Sequence, residues 1–160
     1  MKTLIAYYSL QGNTDYAAKR IAEKIGADTL RLASKKAYKD KGFAKFLSGG
    51  RSAIKEESPE LESYDVDLDS YDCVVFGFPV WASNVAPPLR TFVGEHKAEL
   101  AGKKLAAFAC QGGSGAPKAL GKLKAALGID AFDAEGIFIE PLLKQSEATD
   151  AAIDAFSEEI

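Results

Sequence analysis

The sequence has little cysteine, tryptophan or histidine, and it has no long apolar run. Its 160 residues include two cysteines, one tryptophan and one histidine. Two cysteines exclude a disulfide-rich scaffold. We expect free thiols, because Cys73 begins one predicted strand and Cys110 ends its parallel neighbour, which puts them beyond disulfide reach. The single histidine, His96, lies in a predicted helix and excludes an evident Ser–His–Asp set or metal site.

Net charge and hydropathy limit the kinds of partner the protein can have and its location in the cell. The net charge of −3 does not suggest nucleic-acid binding, which calls for a strongly basic face. The longest apolar runs, such as residues 74–78 and 105–110, are too short to cross a bilayer, so we expect no membrane partner. The chain turns polar by Ser9, unlike a signal peptide. We therefore expect a cytoplasmic protein with a single domain over residues 1–160.

A strand, a short loop and a helix are predicted over residues 4–25. The apolar run over residues 4–8 is typical of a buried parallel strand, and apolar residues recur at helical spacing from Ala18 to Ile25, before Gly26. The loop between them leaves backbone N–H groups at a helix start that carries about half a positive charge. This pattern fits either an ordinary capped turn or an anion site.

Four further apolar segments predict the rest of a sheet, at residues 29–32, 72–78, 105–110 and 136–139. Helices are expected between them, one with Pro87 and Pro88 in its first turn. This alternation predicts a doubly wound α/β fold with a parallel sheet. Because ligands of such sheets bind beyond the carboxyl ends of the strands, the loops at residues 9–14, 79–84 and 110–115 should converge on one ligand.

The long connection over residues 34–70 is divided in charge, with a basic first half and an acidic second half. One interpretation is that all of these charges lie on the solvated surface. The alternative is that the ligand edge of the sheet carries Lys35, Lys36 and Lys39, which would then meet an acidic partner or substrate. We also expect a helix broken at Gly49-Gly50. Its buried stripe would consist of Phe43, Phe46, Leu47 and Ile54.

The loops exclude several α/β chemistries. A dinucleotide fingerprint and a P-loop are absent, because the first loop has one glycine, Gly12, and Gly121-Lys122 is followed by Leu123. Neither cysteine has an arginine six residues later, which excludes a phosphatase loop. The first and third strands end without aspartates, which excludes a phosphoacceptor receiver domain. A phosphate-sized loop, a loop tryptophan and a glycine-rich loop remain. They suit a planar, phosphorylated cofactor, unless Trp81 is an ordinary core residue.

At these motifs the chain resembles the flavodoxin family over essentially its whole length. The family's phosphate loop, roughly T/S-x-T-G-x-T, is matched by residues 9–14, and its tryptophan loop and third loop by residues 77–81 and 110–113. The resemblance implies a five-stranded sheet of order 2-1-3-4-5, with helices on both faces, and FMN as the cofactor. The residues it implies for FMN binding are Ser9, Leu10, Gln11, Gly12, Asn13, Thr14, Pro79, Val80, Trp81, Ala82, Ser83, Cys110, Gln111, Gly112 and Gly113.

Several departures from the family pattern modify this expectation. Gln11 replaces a hydroxyl residue of the phosphate loop. Ala82 stands where many flavodoxins have a glycine whose peptide flips on reduction, and alanine disfavours a positive φ. The third loop lacks a second aromatic cover, which leaves one ring face open. The three loops contain no carboxylate, so we expect a less negative redox potential than in the lowest-potential flavodoxins.

The resemblance implies an electron-transfer protein that works with redox partner proteins, either a flavoprotein reductase or an iron–sulfur protein. An FMN-dependent NAD(P)H:quinone-type oxidoreductase with a small quinone-like substrate is the alternative, favoured by the open ring face and the lysines near the site. A flavin-binding module without redox turnover is the third possibility. Catalytic side chains and metal ligands are not expected.

Overall fold

The protein, described by a computed structural model over residues 1–38 and 50–160, contains one parallel sheet. Its strands are β1 (Thr3–Tyr7), β2 (Asp28–Arg31), β3 (Cys73–Pro79), β4 (Lys104–Gln111) and β5 (Ala134–Ile139). They are ordered β2-β1-β3-β4-β5, and every neighbouring pair is parallel. This order confirms the predicted doubly wound sheet, and each strand lies within two residues of its predicted position.

Helices cover both faces of this sheet. One face packs against α1 (Asn13–Ile25) and α5 (Glu147–Glu159), and the other against α3 (Pro87–Leu100) and α4 (Ala116–Leu127). A single turn, α2 (Arg51–Ile54), and a short 3-10 helix (Leu68–Ser70) lie between β2 and β3. Gly26 and Gly128 end α1 and α4 in the left-handed conformation, as helix-terminating glycines commonly do.

Side chains of the central strands alternate between two apolar cores. Phe76 and Phe78 of β3 are fully buried with Phe92 of α3, whereas Val75 is buried on the opposite face with Ile21 of α1. Burying a side chain of this size stabilises the fold by about 1.5–3 kcal/mol. Because both faces are closed in this way, the carboxyl edge of the sheet is where a ligand can reach the strands.

The segment before β3 differs from the predicted helix. Ile54 is 67% exposed, because α2 has one turn and buries Ser52 and Ala53 instead. The other predicted members of the buried stripe, Phe43, Phe46 and Leu47, lie outside the described residues, as does Gly49.

The basic and acidic halves of this connection pair with each other. Lys35 Nζ lies 2.5 Å from Glu60 Oε1, and Lys36 Nζ binds the Glu57 carboxylate. These two lysines are therefore engaged within the chain, and Lys39 lies outside the described residues. Pairing at a half-exposed surface fits the interpretation of these charges as solvated surface.

Cys73 and Cys110 are free and buried, which confirms the predicted thiols. In the register of β3 and β4, Cys73 lies opposite Lys104, whereas Cys110 lies opposite Pro79 at the other end of the pair. Within residues 1–38 and 50–160, no helix combines the length and apolar character needed to cross a membrane.

Candidate functional site

The first loop leads directly from β1 into the start of α1. Gly12 has a φ of 101°, and its carbonyl accepts the first helical hydrogen bond from Tyr16 N at 2.9 Å. Thr14, in the first turn of the helix, is 1% exposed, and its Oγ1 has no oxygen or nitrogen partner among the described residues. Its neighbour there is the Cys110 thiol, and sulfur is a weaker hydrogen-bond acceptor than oxygen. The hydroxyl therefore marks the position where a ligand acceptor fits.

Two side chains of this loop are already bound within the protein. Ser9 Oγ accepts a hydrogen bond from Asp15 N at 3.1 Å, so it serves the loop rather than the cleft. Asn13 Oδ1 accepts two, from Leu142 N at 2.9 Å and Leu143 N at 3.1 Å. Of the first loop, Thr14 therefore offers the clearest side-chain donor to a ligand, together with the backbone N–H groups of the first helical turn.

A network of charged and polar side chains holds the first loop against α1. The Tyr7 hydroxyl donates to Asp15 Oδ1 at 2.6 Å, Lys19 Nζ lies 2.7 Å from Asp15 Oδ2, and Arg31 Nη2 donates to the Ser9 carbonyl at 3.3 Å. Partial burial acts to raise the pKa of Asp15, but the bonds from Lys19 and Tyr7 hold it below its usual value. Asp15 therefore stays charged and keeps the loop anchored to α1.

Trp81 forms part of both the core and the cleft. Its indole is 8% exposed and meets the rings of Tyr8 and Tyr38 at centroid distances of 5.6 and 5.1 Å. The same residue lines the cleft together with Pro79 and Val80. The ring is thus held by aromatic neighbours, and only part of its surface is available to a ligand.

Ala82 and Ser83 form a tight turn in which both have a positive φ, of 49° and 59°. Ala82 thus adopts a conformation that alanine disfavours. Trp81 and Asn84 exchange two backbone hydrogen bonds, of 3.2 and 2.9 Å, and a two-residue turn of this kind requires positive φ at both central residues. Asn84 Nδ2 also donates to the Ala82 carbonyl at 2.8 Å, which fixes the turn.

The third loop is bound to the second. Val80 N donates to the Cys110 carbonyl at 2.8 Å, and Gln111 Oε1 accepts from Ala116 N at 2.9 Å at the start of α4. Burial raises the pKa of the Cys110 thiol to about 12, and the neighbouring Thr14 hydroxyl lowers it in part. The thiol is therefore protonated at neutral pH and is an inert part of the wall.

The three loops meet in one cleft with a narrow and a wide part. The narrow part, of about 70 Å³, lies at the first loop, and the wide part, of about 460 Å³, lies beside Trp81. Of the predicted site residues, Ser9 and Gly12 line neither part. Those that line the cleft are Leu10, Gln11, Asn13, Thr14, Pro79, Val80, Trp81, Ala82, Ser83, Cys110, Gln111, Gly112 and Gly113.

A fourth segment, which the sequence analysis missed, contributes Glu140. It follows β5, has a φ of 40°, and lines both parts of the cleft. Its Oε1 would lie 3.8 Å from a Cβ on Gly112, and its Oε2 lies 2.5 Å from Lys144 Nζ. The signal available in the sequence was its place at the carboxyl end of a strand, since all such ends share one edge.

Comparisons with known proteins agree with this fold. The sequence profile of the family described as Flavodoxin matches residues 2–151. A flavoprotein from Lactobacillus acidophilus, solved in complex with FMN, is 21% identical, with a TM-score of 0.75 over 98% of each chain. A protein from Bacteroides eggerthii described as a flavoprotein is 24% identical, with a TM-score of 0.78 over 98% of this chain and 96% of that one. The two-electron reduced flavodoxin of Megasphaera elsdenii is 17% identical, with a TM-score of 0.61 over 98% of each chain.

Proposed function

Because the chain belongs to the flavodoxin family, we propose that it binds FMN in the cleft and transfers electrons through it. Bound FMN would supply the redox chemistry, while the protein fixes and tunes the cofactor. One observation carries the proposal. The loops after β1, β3 and β4 open onto one cleft, and at its narrow end a buried Thr14 hydroxyl without an oxygen or nitrogen partner lies at the start of α1.

The narrow end suits the phosphate of FMN. The N–H groups in the first turn of α1 have no partner within the helix, and this end carries partial positive charge. A phosphate oxygen would give the Thr14 hydroxyl its acceptor, and a hydrogen bond to a charged group contributes about 1.5–3 kcal/mol. Thr14 and the helix start would therefore hold the phosphate.

The wide part suits a flat ring. Trp81 forms its wall, and the small residues Gly112 and Gly113 leave their backbone accessible to a ring edge. The FMN complex of the Lactobacillus acidophilus protein, which has the same fold, supports the choice of cofactor. Trp81 would contact the flavin, and the glycines would donate backbone hydrogen bonds to it.

A titration of the apoprotein with FMN and riboflavin tests this placement. Purified protein should show the absorption bands of oxidised flavin. Thr14→Val should weaken FMN binding about tenfold, corresponding to about 1.4 kcal/mol, and leave riboflavin binding unchanged. Because the change removes a buried hydroxyl without an oxygen or nitrogen partner, the free energy of unfolding of the apoprotein should not fall. Thr29→Val, on exposed β2, is the matched control. Absence of FMN binding would refute the proposed function.

The electron-transfer role calls for redox partner proteins, which we propose to be a flavoprotein reductase or an iron–sulfur protein. The second candidate is an FMN-dependent NAD(P)H:quinone-type oxidoreductase. It is favoured by the walls of the wide part, where Trp81 is the one aromatic side chain among the described residues, so that one face of a bound flavin ring would stay open to a small planar substrate.

Steady-state oxidation of NAD(P)H in the presence of a quinone separates the two roles. Turnover by the holoprotein without an added reductase would support the oxidoreductase. Absence of turnover, together with rapid reduction by a partner flavoprotein, would support the carrier.

A further inference from the structure

The two edges of the sheet differ in how they are protected from other strands. β2, at one edge, has four residues and exposes the charged side chains of Asp28 and Arg31. β5, at the other edge, has six residues and exposes Ile137 and Ile139, by 41% and 51%. Edge strands are commonly protected by charge, proline or short length, because their free N–H and C=O groups can pair with another strand. Residues 136–139 of β5 include neither a charge nor a proline.

Both isoleucines point to the same face of the sheet. Side chains alternate along a strand, so Ala134 and Phe138 are buried in the core on the α5 side, whereas Ile137 and Ile139 point to the opposite face. On that face α4 packs against β4 and leaves the two isoleucines exposed. An apolar surface therefore runs along the same edge that carries the free backbone groups.

The charges that flank the isoleucines cancel within the chain. Before them, Lys124 Nζ lies 2.8 Å from Glu135 Oε1, and after them, Lys144 Nζ lies 2.5 Å from Glu140 Oε2. Each pair joins one positive and one negative group, so neither sign is in excess at these positions. A strongly acidic or basic partner would gain little attraction here, whereas two copies of the same face can meet without repulsion.

The helix on the other face of β5 leaves room at this edge. One flank of α5 is paired with α1, where Arg20 Nη2 lies 2.9 Å from Asp154 Oδ2. The opposite flank, which faces away from α1 and toward the outer side of β5, carries exposed alanines at 148, 152 and 155. Because the distance between packed helices depends on the side chains at their contact, small residues here let a second molecule approach the strand closely.

We propose that the chain forms a homodimer by antiparallel pairing of β5 with β5 of a second copy, which joins two five-stranded sheets into one. A two-fold axis through Ile137 or Phe138 makes the edge its own partner, as a two-fold interface requires. In either register an isoleucine of one copy faces an isoleucine of the other, and such cross-strand pairs stabilise sheets. The free backbone groups of both edges gain hydrogen-bond partners in the same step.

The inference rests on the sheet edge and not on the proposed binding of FMN. Because the paired strands run in opposite directions, the carboxyl edges of the two sheets, and with them the two clefts, would point away from each other. The dimer would therefore carry two separate clefts.

Sedimentation velocity of the full chain, with and without FMN, tests the proposal over about 1 to 500 µM protein. The wild type should shift from monomer to dimer within this range in both forms. Ile137→Lys places a charge in the interface once from each copy, and should raise the dissociation constant of the dimer about 100-fold or more. Ile139→Lys should act in the same direction. Ile54→Lys, the matched control, replaces a 67% exposed isoleucine outside the sheet and should leave the dissociation constant unchanged.

Hydrogen exchange measured by mass spectrometry tests whether β5 forms the interface. In the wild type, the amides of residues 134–139 should exchange more slowly at high protein concentration than at low concentration. This difference should disappear in Ile137→Lys, whose folding is verified by circular dichroism.

Three outcomes would overturn the proposal. The first is a wild type that stays monomeric up to about 500 µM, in which case the exposed face belongs to a different partner. The second is a dimer that withstands both lysine substitutions, and the third is a dimer in which residues 134–139 exchange alike at both concentrations. None of them bears on the proposed function, and failure to bind FMN would leave the dimer of the apoprotein intact.

Discussion

Replacing Gly115 by alanine should damage both the fold and the cofactor site. Gly115 precedes α4 with a φ of 101°. A Cβ there would lie 2.7 Å from Ser83 Oγ and 3.0 Å from Ser83 Cα, which is a backbone atom that cannot rotate away. The substitution therefore combines an unfavourable backbone conformation with a collision against the turn at the rim of the cleft.

The expected loss of stability is the sum of these two effects. A left-handed conformation costs a non-glycine residue about 1–2 kcal/mol, and overpacking costs about 1–3 kcal/mol. Gly115→Ala should therefore lower the free energy of unfolding by about 2–5 kcal/mol. FMN affinity should fall as well, because Ser83 and the strained Ala82 share one turn beside the wide part of the cleft.

Urea denaturation of the apoprotein, monitored by circular dichroism, measures the loss in free energy of unfolding. Gly26→Ala is the matched control, because Gly26 has a φ of 67° but nothing within 4 Å of its Cβ position. It should lose only the backbone part, about 1–2 kcal/mol. If Gly115→Ala and Gly26→Ala were equally destabilised, the collision with Ser83 would be refuted.

Four further predictions concern residues that line the cleft. Trp81→Ala should weaken FMN binding by about 1 kcal/mol or more, and unchanged affinity in a titration would show that the indole does not contact the flavin. Native Cys110 should resist iodoacetamide at pH 8, because burial raises the pKa of its thiol to about 12. As pH rises from about 9 toward 12, the unfolded chain loses this proton first, so stability should fall by up to about 1.4 kcal/mol per pH unit; Cys110→Ala should show a shallower decline. Glu140→Gln should raise the midpoint potential of bound FMN in a redox titration, by about 30 mV for each tenfold gain in relative affinity for the two-electron reduced cofactor; an unchanged midpoint would mean that the carboxylate does not face the flavin.

The sheet and the meeting of its loops could be predicted from the sequence because they depend on local patterns. Apolar runs fix the strands, and the shared carboxyl edge of parallel strands brings the three loops together. The free thiols followed from the same reasoning, since Cys73 and Cys110 lie at opposite ends of neighbouring strands.

The remaining details depend on contacts between distant segments. Glu140 was missed because its place in the cleft comes from the path of the chain after β5 and not from a motif. The positive φ of Ala82 arises from its hydrogen-bonded neighbours, which override the preference of alanine. Ile54 is exposed because α2 ends after one turn. The conformational propensities of the individual residues predict none of these three features.

Glu140 also bears on the expected redox potential. The three predicted loops contain no carboxylate, but the fourth segment brings one to the wall of the cleft. Lys144 offsets part of its charge at 2.5 Å. We therefore expect the potential of bound FMN to depend on this pair, which lies outside the family's motifs, and the Glu140→Gln titration tests that dependence.

The hydrogen bonds from Leu142 and Leu143 to Asn13 join positions about 130 residues apart in the chain. A polypeptide emerging from the ribosome accordingly cannot complete the contacts of the first loop until residues 142 and 143 have been synthesised. Uptake of the proposed flavin would follow that step, and the colour of the protein would report that these two distant segments have come together.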